Sequence, residues 1–385
     1  MKILIIHSYY QLRGGEDTVV EQEIALLKER HEVKVLFFQN VGGLKGALQF
    51  LFSIWNRRAA HKVKVAIQEF KPDVVHIHNW HFALGPLVFR VISSLGIPVV
   101  HTVHNYRLLC PSGILLHNGK LFTDSLKQSF PWKAVCNKVY RTSSIQTFWL
   151  AFVVWLHKKI GTWKKIDSYV CLTPFAVQLF QESNFGVAKG QFTVKPNFSV
   201  AVETESCIEK ENYFLFIGRL SEEKGIAILL NAFKELPFVL KIAGDGPLKN
   251  SVVQAVKEFS NICYLGSLDY KAVQLELCKS QALISPSICY ETFGLVNIEA
   301  FSIGTPVLAS KIGAPQSLII DGYNGYHFEA GNEKNLKEVV LKFNSLSETE
   351  KKQMRQNAFK SYQSHYSPEL QMDYFEVIYN KVLKK

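Results

Sequence analysis

A chain of 385 residues, 48% hydrophobic and 20% charged, describes a folded globular protein and is too long for one comfortable core, so two domains are expected. Its net charge of +11 lies entirely in the first half, where residues 1–200 carry 24 Lys+Arg against 11 Asp+Glu and residues 201–385 carry 20 against 22. Such an excess suits an anionic substrate or an anionic membrane; no nucleic-acid-binding motif accompanies it, and no nucleic-acid partner is expected.

Seven scattered cysteines without a C-x-x-C pair point to a reducing compartment and away from a zinc site. The start, Met1-Lys2-Ile3-Leu4-Ile5-Ile6, is too short in its apolar part for a signal peptide and reads as a first buried strand. No stretch reaches the roughly 20 apolar residues of a membrane span. A cytoplasmic protein is expected, with a peripheral place on the inner face of the cell membrane left open by the basic first half.

Strand one, Ile3 to His7, leads into a loop with Gly14-Gly15-Glu16, then a helical pattern from Thr18 to Arg30 and strand two, Glu32 to Phe38. The order strand, glycine loop, helix, strand is a Rossmann-like opening. The loop lacks G-x-G-x-x-G and no acidic residue closes strand two, which disfavours NAD, and no Walker motif occurs. Pro72 to Asn79 reads as a third strand with His76 and His78 on one face, and Ile97 to Asn105 as a fourth that ends in His104 and Asn105. Ligands of α/β sheets bind beyond the carboxyl ends of strands, which places His104 well for function. His76, His78, His81, His101 and His104 raise a metal site. They fall on separate strand ends with no carboxylate or cysteine to join them, so no metal site is expected.

Residues 106–165 read as an insertion. Within it Ile145 to Leu156, apolar and rich in Trp, is followed by His157-Lys158-Lys159 and Trp163-Lys164-Lys165. That composition fits either an interfacial membrane element or a buried helix with a solvated basic end. Val194 to Phe198 closes a first domain, 1–198, and the polar, acidic stretch 199–212 reads as the linker. A second domain, 213–367, opens with a strand that delivers Gly218-Arg219 to a loop, with Lys224 five residues on. Two cations converging at a strand end suit a diphosphate. A closing helix, 368–385, carries Leu370, Tyr374, Phe375, Ile378 and Val382 at helical spacing.

The most informative stretch is Glu291-Thr292-Phe293-Gly294-Leu295-Val296-Asn297-Ile298-Glu299. The run Ala282 to Ser285 before it reads as a strand closed by Pro286, and Leu295 to Ile303 after it as a helix ended by Gly304. Glu291 then lies in the loop and Glu299 on the helix. The helix start presents open amides and a positive dipole end, which suit a phosphate. A carboxylate on the helix is an acceptor for a sugar diol. Together these point to a sugar joined to a phosphate.

Glu291 and Glu299, with Phe-Gly-Leu-Val between them, resemble the Glu-x7-Glu signature of the retaining glycosyltransferases of family 4. Gly218-Arg219 with Lys224-Gly225, and the Gly14-Gly15 loop, resemble that family's other motifs in the same order. The resemblance covers the chain except 106–165. It implies a GT-B fold, two Rossmann-like α/β domains facing a cleft, with the closing helix crossing back to the first domain. It assigns Arg219, Lys224, Leu295 and Val296 to the donor diphosphate, and Phe293, Gly294 and Gly15 to the donor site. Glu299 falls to the ribose, and Gly14 and Glu16 to the acceptor side. His104 and Glu291 fall at the donor sugar and the catalytic centre; Asn105 stands where the family usually has an acid or a small polar residue.

The implied activity is transfer of a sugar, with retention, from a nucleoside-diphosphate sugar to a glycan or lipid-linked acceptor of bacterial surface polysaccharide. No cofactor and no divalent metal are expected. A nucleotide-sugar epimerase of the same fold, a glycoside hydrolase using Glu291 and Glu299, and a non-catalytic sugar-nucleotide scaffold are the alternatives.

Overall fold

A computed structural model of the chain describes residues 1–11, 14–200 and 210–384. Leu12 and Arg13 of the glycine loop, and residues 201–209 of the linker with Cys207, lie outside the described residues. The chain divides into two compact units. The first comprises Met1–Ile114, Phe122–Pro196 and Glu369–Lys385; the second comprises Leu115–Leu121 and Asn197–Pro368.

The first unit is built on a six-stranded parallel sheet: β1 (Lys2–Tyr9), β2 (Glu32–Gln39), β3 (Val74–Ile77), β4 (Val99–Val103), β5 (Ser168–Cys171) and β6 (Phe192–Val194), in the order β2-β1-β3-β4-β5-β6. Ile3 to Ile6, Val74, Val75, Ile77, Val99 and Val100 are wholly buried, as expected of central strands covered by helices on both faces. The helix Pro368–Leu383 packs in this unit. Its Gln371 accepts from Lys195 Nζ at 3.3 Å, and its Tyr379 hydroxyl lies 2.8 Å from His76 Nδ1.

The second unit carries β7 (Tyr213–Ile217), β8 (Val239–Ala243), β9 (Ile262–Gly266), β10 (Ala282–Ser285), β11 (Val307–Ser310) and β12 (Gly325–Phe328), all parallel, in the order β9-β8-β7-β10-β11-β12. The strand order reverses between β7 and β10, which pair Phe214 with Ala282 and Leu215 with Leu283. That switch point opens a crevice at the carboxyl ends of the two strands. Both strands are Phe-, Leu- and Ile-rich runs sealed by the helices Ile226–Lys234 and Glu333–Asn344.

Two parts of the supposed insertion take different places. Leu116–His117 and Lys120–Leu121 form a small antiparallel hairpin that belongs to the second unit, not the first. A Cβ on its Gly119 would lie 3.1 Å from the Glu222 carboxylate. The Trp-rich stretch forms the helix Ser144–Lys159, and it is packed on one face: Thr147, Leu150, Ala151, Val153 and His157 are buried. Trp149 donates to the Phe50 carbonyl at 2.9 Å, and Trp163 is buried in the core.

Candidate active site

In the second unit the site grows out of the β7/β10 switch point. Because the two strands are neighbours, the loop after β7 and the loop after β10 leave side by side. Ile288 donates its amide to the Glu223 carbonyl at 2.9 Å and so ties them together. Gly225 stands at the crossing: its φ of +71° and a Cβ only 1.9 Å from the Pro286 carbonyl oxygen leave room for no side chain. Held this way, Lys224 reaches Glu291 with Nζ 2.6 Å from Oε1. Ser287 also donates to that carboxylate oxygen. Burial alone would raise the Glu291 carboxyl, but Lys224 and Ser287 outweigh it and hold it below the ordinary range. Burial opposes the Lys224 charge in turn, yet Glu291 raises its pKa above the ordinary lysine value. Arg219 is exposed at the start of the loop after β7.

Gly294, with φ +80°, caps the helix Leu295–Ser302. A Cβ there would lie 2.7 Å from Asn297 Nδ2 and 3.1 Å from Glu291 Oε2, so the left-handed turn lets Glu291 and the helix start approach each other. The Leu295 and Val296 amides fall in the first helical turn, where no intrahelical acceptor is available. Phe293 is buried, its ring 6.1 Å from that of Tyr366, so only its backbone is available to a ligand. Glu299 is half-buried, and burial pushes its carboxyl up to about 7. The unit thus brings Lys224, Glu291 and the helix start together at one strand switch. Two further residues join them that the motifs did not single out. Ser287 stands four positions before Glu291. Asn297 is buried, and neither polar atom of its side chain has a hydrogen-bond partner among the described residues.

In the first unit the loop after β1 enters the helix Gly15–Leu27. Asp17 fixes this turn: its Oδ2 accepts from the Gly14 amide at 2.9 Å while its Oδ1 lies 2.8 Å from His7 Nε2. A Cβ on Gly14 or on Gly15 would meet nothing within 4 Å, so the protein itself does not require glycine there. Burial and then Asp17 push the Glu16 carboxyl up to about 8, with Arg107 opposing. At the carboxyl ends of β3 and β4 lies a polar recess whose lining includes His78, Asn79, His81, His104, Asn105 and Arg107. Arg107 keeps Nε and Nη1 buried without a partner among the described residues. It falls in the segment that resembled nothing, and sequence reasoning passed it over.

Beneath His104 runs a buried chain of polar groups. His104 Nε2 lies 3.1 Å from His78 Nδ1, and His78 Nε2 lies 3.5 Å from Glu23 Oε2. Lys195 Nζ donates to Glu23 Oε1 at 2.8 Å, with both side chains fully buried. His76 stacks on His78 with ring centroids 4.3 Å apart. Burial, reinforced by the neighbouring rings and Lys195, lowers His78 and His104 well below the ordinary histidine value, so both are neutral. The expectation that no carboxylate joins the histidines is therefore corrected: Glu23 does, from the helix after the glycine loop. Ligand atoms of Glu23, His76 and His78 all lie within 4.8 Å of one another. They do not fit a metal as they stand. Both His76 nitrogens are engaged, with Thr102 and Tyr379, and the Lys195 ammonium already meets the Glu23 charge.

Two parallel-sheet α/β units with the closing helix returned to the first are the architecture of the GT-B glycosyltransferases. Anabaena HepE in complex with UDP-glucose shares this fold at a TM-score of 0.67 with 16% identity, over 98% of this chain and 99% of that one. The family model for Glycosyltransferase Family 4 matches residues 12–198, and that for Glycosyl transferases group 1 matches residues 203–361. An uncharacterized glycosyltransferase of Methanocaldococcus jannaschii is 26% identical over 91% of this chain and 90% of its own length. A Salmonella typhimurium lipopolysaccharide 1,2-N-acetylglucosaminetransferase is 31% identical over 31% of this chain and 35% of its own. The chain belongs to the group 1, family 4 glycosyltransferases, and it is a transferase.

Proposed function

We propose that this glycosyltransferase takes its sugar from a nucleoside-diphosphate sugar and passes it, with retention of anomeric configuration, to a glycan or lipid-linked acceptor of bacterial surface polysaccharide. The observation that carries the donor assignment is the Lys224–Glu291 pair, 2.6 Å apart beside the Gly294-capped helix start. A cation, an acceptor and open amides at one strand switch match a sugar diphosphate group by group. The lipopolysaccharide transferase named above supports the acceptor class, and the UDP-glucose complex of HepE supports the donor class.

In the step itself, the bond from the anomeric carbon to the β-phosphate oxygen breaks, and a bond from that carbon to the acceptor oxygen forms on the same face. The acceptor proton passes to the departing diphosphate. Lys224, Arg219 and the Leu295 and Val296 amides stabilise the negative charge that develops on the leaving group. These cations and the dipole stand where other transferases use a divalent ion, so no metal is required. Glu291 orients the sugar hydroxyls, and Glu299, once ionised, accepts from the ribose diol. On the first unit His104 serves the donor sugar, while Glu16 and Gly14 serve the acceptor. The protein works in the cytoplasm, peripherally on the membrane.

The test is a transfer assay over a panel of nucleotide sugars with lipid-linked and free glycan acceptors, with the product's anomeric configuration read by NMR. A product of the donor's own configuration, formed only when acceptor is present, supports the proposal. Inversion refutes the mechanism, and an altered sugar nucleotide formed without acceptor indicates an epimerase.

A further inference from the structure

We propose that the helix Gly43–Phe52 and the turn after it form a docking face for an anionic lipid bilayer. The inference deepens the membrane part of the function proposed above and rests on it for its meaning. No residue of this helix is buried. Leu44, Leu48, Leu51 and Phe52 expose 87%, 54%, 48% and 62% of their surfaces, and their spacing places them within an arc of roughly 100° on one helical face, while Trp55 in the turn after it is 42% exposed. An apolar stripe of this kind on a monomer marks an interaction surface.

The stripe is held outward rather than left loose. On the opposite side the Phe50 ring packs 4.9 Å from Phe82, and the Phe50 carbonyl accepts from Trp149. Ser53 is buried, and the Ile54 carbonyl lies 2.8 Å from His157 Nε2. The neighbouring helix Ser144–Lys159 adds exposed Ile145 and Phe148.

Charge decides what covers it. Between Glu32 and Glu69 the sequence has no acidic residue, and apart from Lys34, which pairs with Glu69, it has Lys45, Arg57, Arg58, Lys62 and Lys64. Between Asp124 and Asp167 it again has none, and apart from Lys133, which pairs with Asp124, it has Lys127, Lys138, Arg141 and the lysines at 158, 159, 164 and 165. A second copy of the chain would bring like cations against like, with no acid from either stretch to pair them. An anionic headgroup layer meets the cations and gives the leucines and aromatics an apolar boundary to enter. A helix of 10 residues lies in that boundary and does not cross it.

The test is co-sedimentation of the full chain with vesicles of phosphatidylcholine, alone or mixed with phosphatidylglycerol. Binding to the mixed vesicles and not to the neutral ones is expected, falling as salt rises. The triple change Leu44→Ser, Leu48→Ser, Phe52→Ser is expected to weaken it roughly tenfold or more, and so is Arg57→Glu with Arg58→Glu. All these side chains are exposed, and each variant is required to keep the parent's melting temperature and its stabilisation by a nucleoside diphosphate. Absence of binding to mixed vesicles overturns the proposal, as does unchanged binding by the triple variant. A dimer in solution that the triple variant splits, without vesicle binding, assigns the face to a second copy instead. Loss of nucleotide stabilisation with vesicle binding intact counts against the donor site and not against this face.

Discussion

Replacing Glu291 with Gln removes the negative charge that Lys224 faces but keeps an amide oxygen for Ser287. At 2.6 Å and an effective dielectric of about 20, the pair's attraction is about 6 kcal/mol. Desolvation of two largely sheltered charges offsets most of this, leaving roughly 2 kcal/mol of net coupling. An incoming diphosphate competes with Glu291 for the same ammonium and is repelled by the carboxylate. Glu291→Gln is therefore expected to bind the free nucleoside diphosphate more tightly, by about fivefold for roughly 1 kcal/mol released, while sugar transfer falls about a hundredfold or more. Lys224→Met loses a charge-assisted hydrogen bond worth about 1.5–3 kcal/mol and is expected to weaken the diphosphate by roughly 10- to 150-fold. Isothermal titration of both variants with the nucleoside diphosphate reads the two effects directly. Equal weakening by both changes would refute the reasoning, because it would place Glu291 among the groups that hold the phosphate. The pair also has a pH signature. Glu291 is held below its unfolded value, so its stabilising contribution is full above about 4.5 and is lost as the pH falls through the depressed folded value.

Glu299 has the opposite sign: its folded carboxyl is raised to about 7, so its contribution to stability is present below about 4.5 and lost as the pH rises through about 7. In the proposed donor site its ionised form is the diol acceptor, so nucleotide affinity is expected to rise about tenfold between pH 6 and 8, and Glu299→Gln should flatten that part of the titration; an identical slope in both would count against the ribose role. Glu23→Gln or Lys195→Met leaves a fully buried charge unpaired and is expected to cost about 3–5 kcal/mol of stability, visible as a lowered melting temperature, with the double variant recovering part of the loss. Gly225→Ala drives a Cβ into the Pro286 carbonyl and should lower the melting temperature. Gly15→Ala meets nothing and should leave the melting temperature unchanged while raising the KM for substrate; normal kinetics would show that no ligand approaches that backbone.

The second unit was the more legible of the two because its chemistry is local in sequence. Arg219 to Gly225 and Glu291 to Glu299 are short runs on loops that adjacent strands deliver, and the strands themselves are unbroken apolar runs. Ser287, four positions before Glu291 on the same loop, belongs to none of the motifs and shows its part only through its bond to that carboxylate. The first unit's network was not legible, since Glu23 and Lys195 are 172 residues apart and meet only because the chain leaving the sheet's last strand brings Lys195 to the helix Gly15–Leu27. Each alone looks like an ordinary surface charge. The Trp-rich segment was ambiguous for a related reason. Apolar composition marks Ser144–Lys159 and Gly43–Phe52 equally well, and only packing shows that the former turns one face inward while the latter keeps its stripe outside. The hairpin at 116–121 follows the same logic, since chain order placed it in the first unit and packing places it in the second.

The central claim, a nucleoside diphosphate held by protein cations at the β7/β10 switch, is tested most directly by thermal unfolding with UDP, GDP, ADP or CMP in the presence of EDTA. The account predicts that one nucleoside diphosphate stabilises the protein with all divalent ions chelated, by about 2.7 kcal/mol at a hundred times its dissociation constant, and that at the same concentration the stabilisation falls to between about 1.4 and about 0.3 kcal/mol in Lys224→Met. Folded protein that none of the four stabilises, or stabilisation that EDTA abolishes, would contradict it.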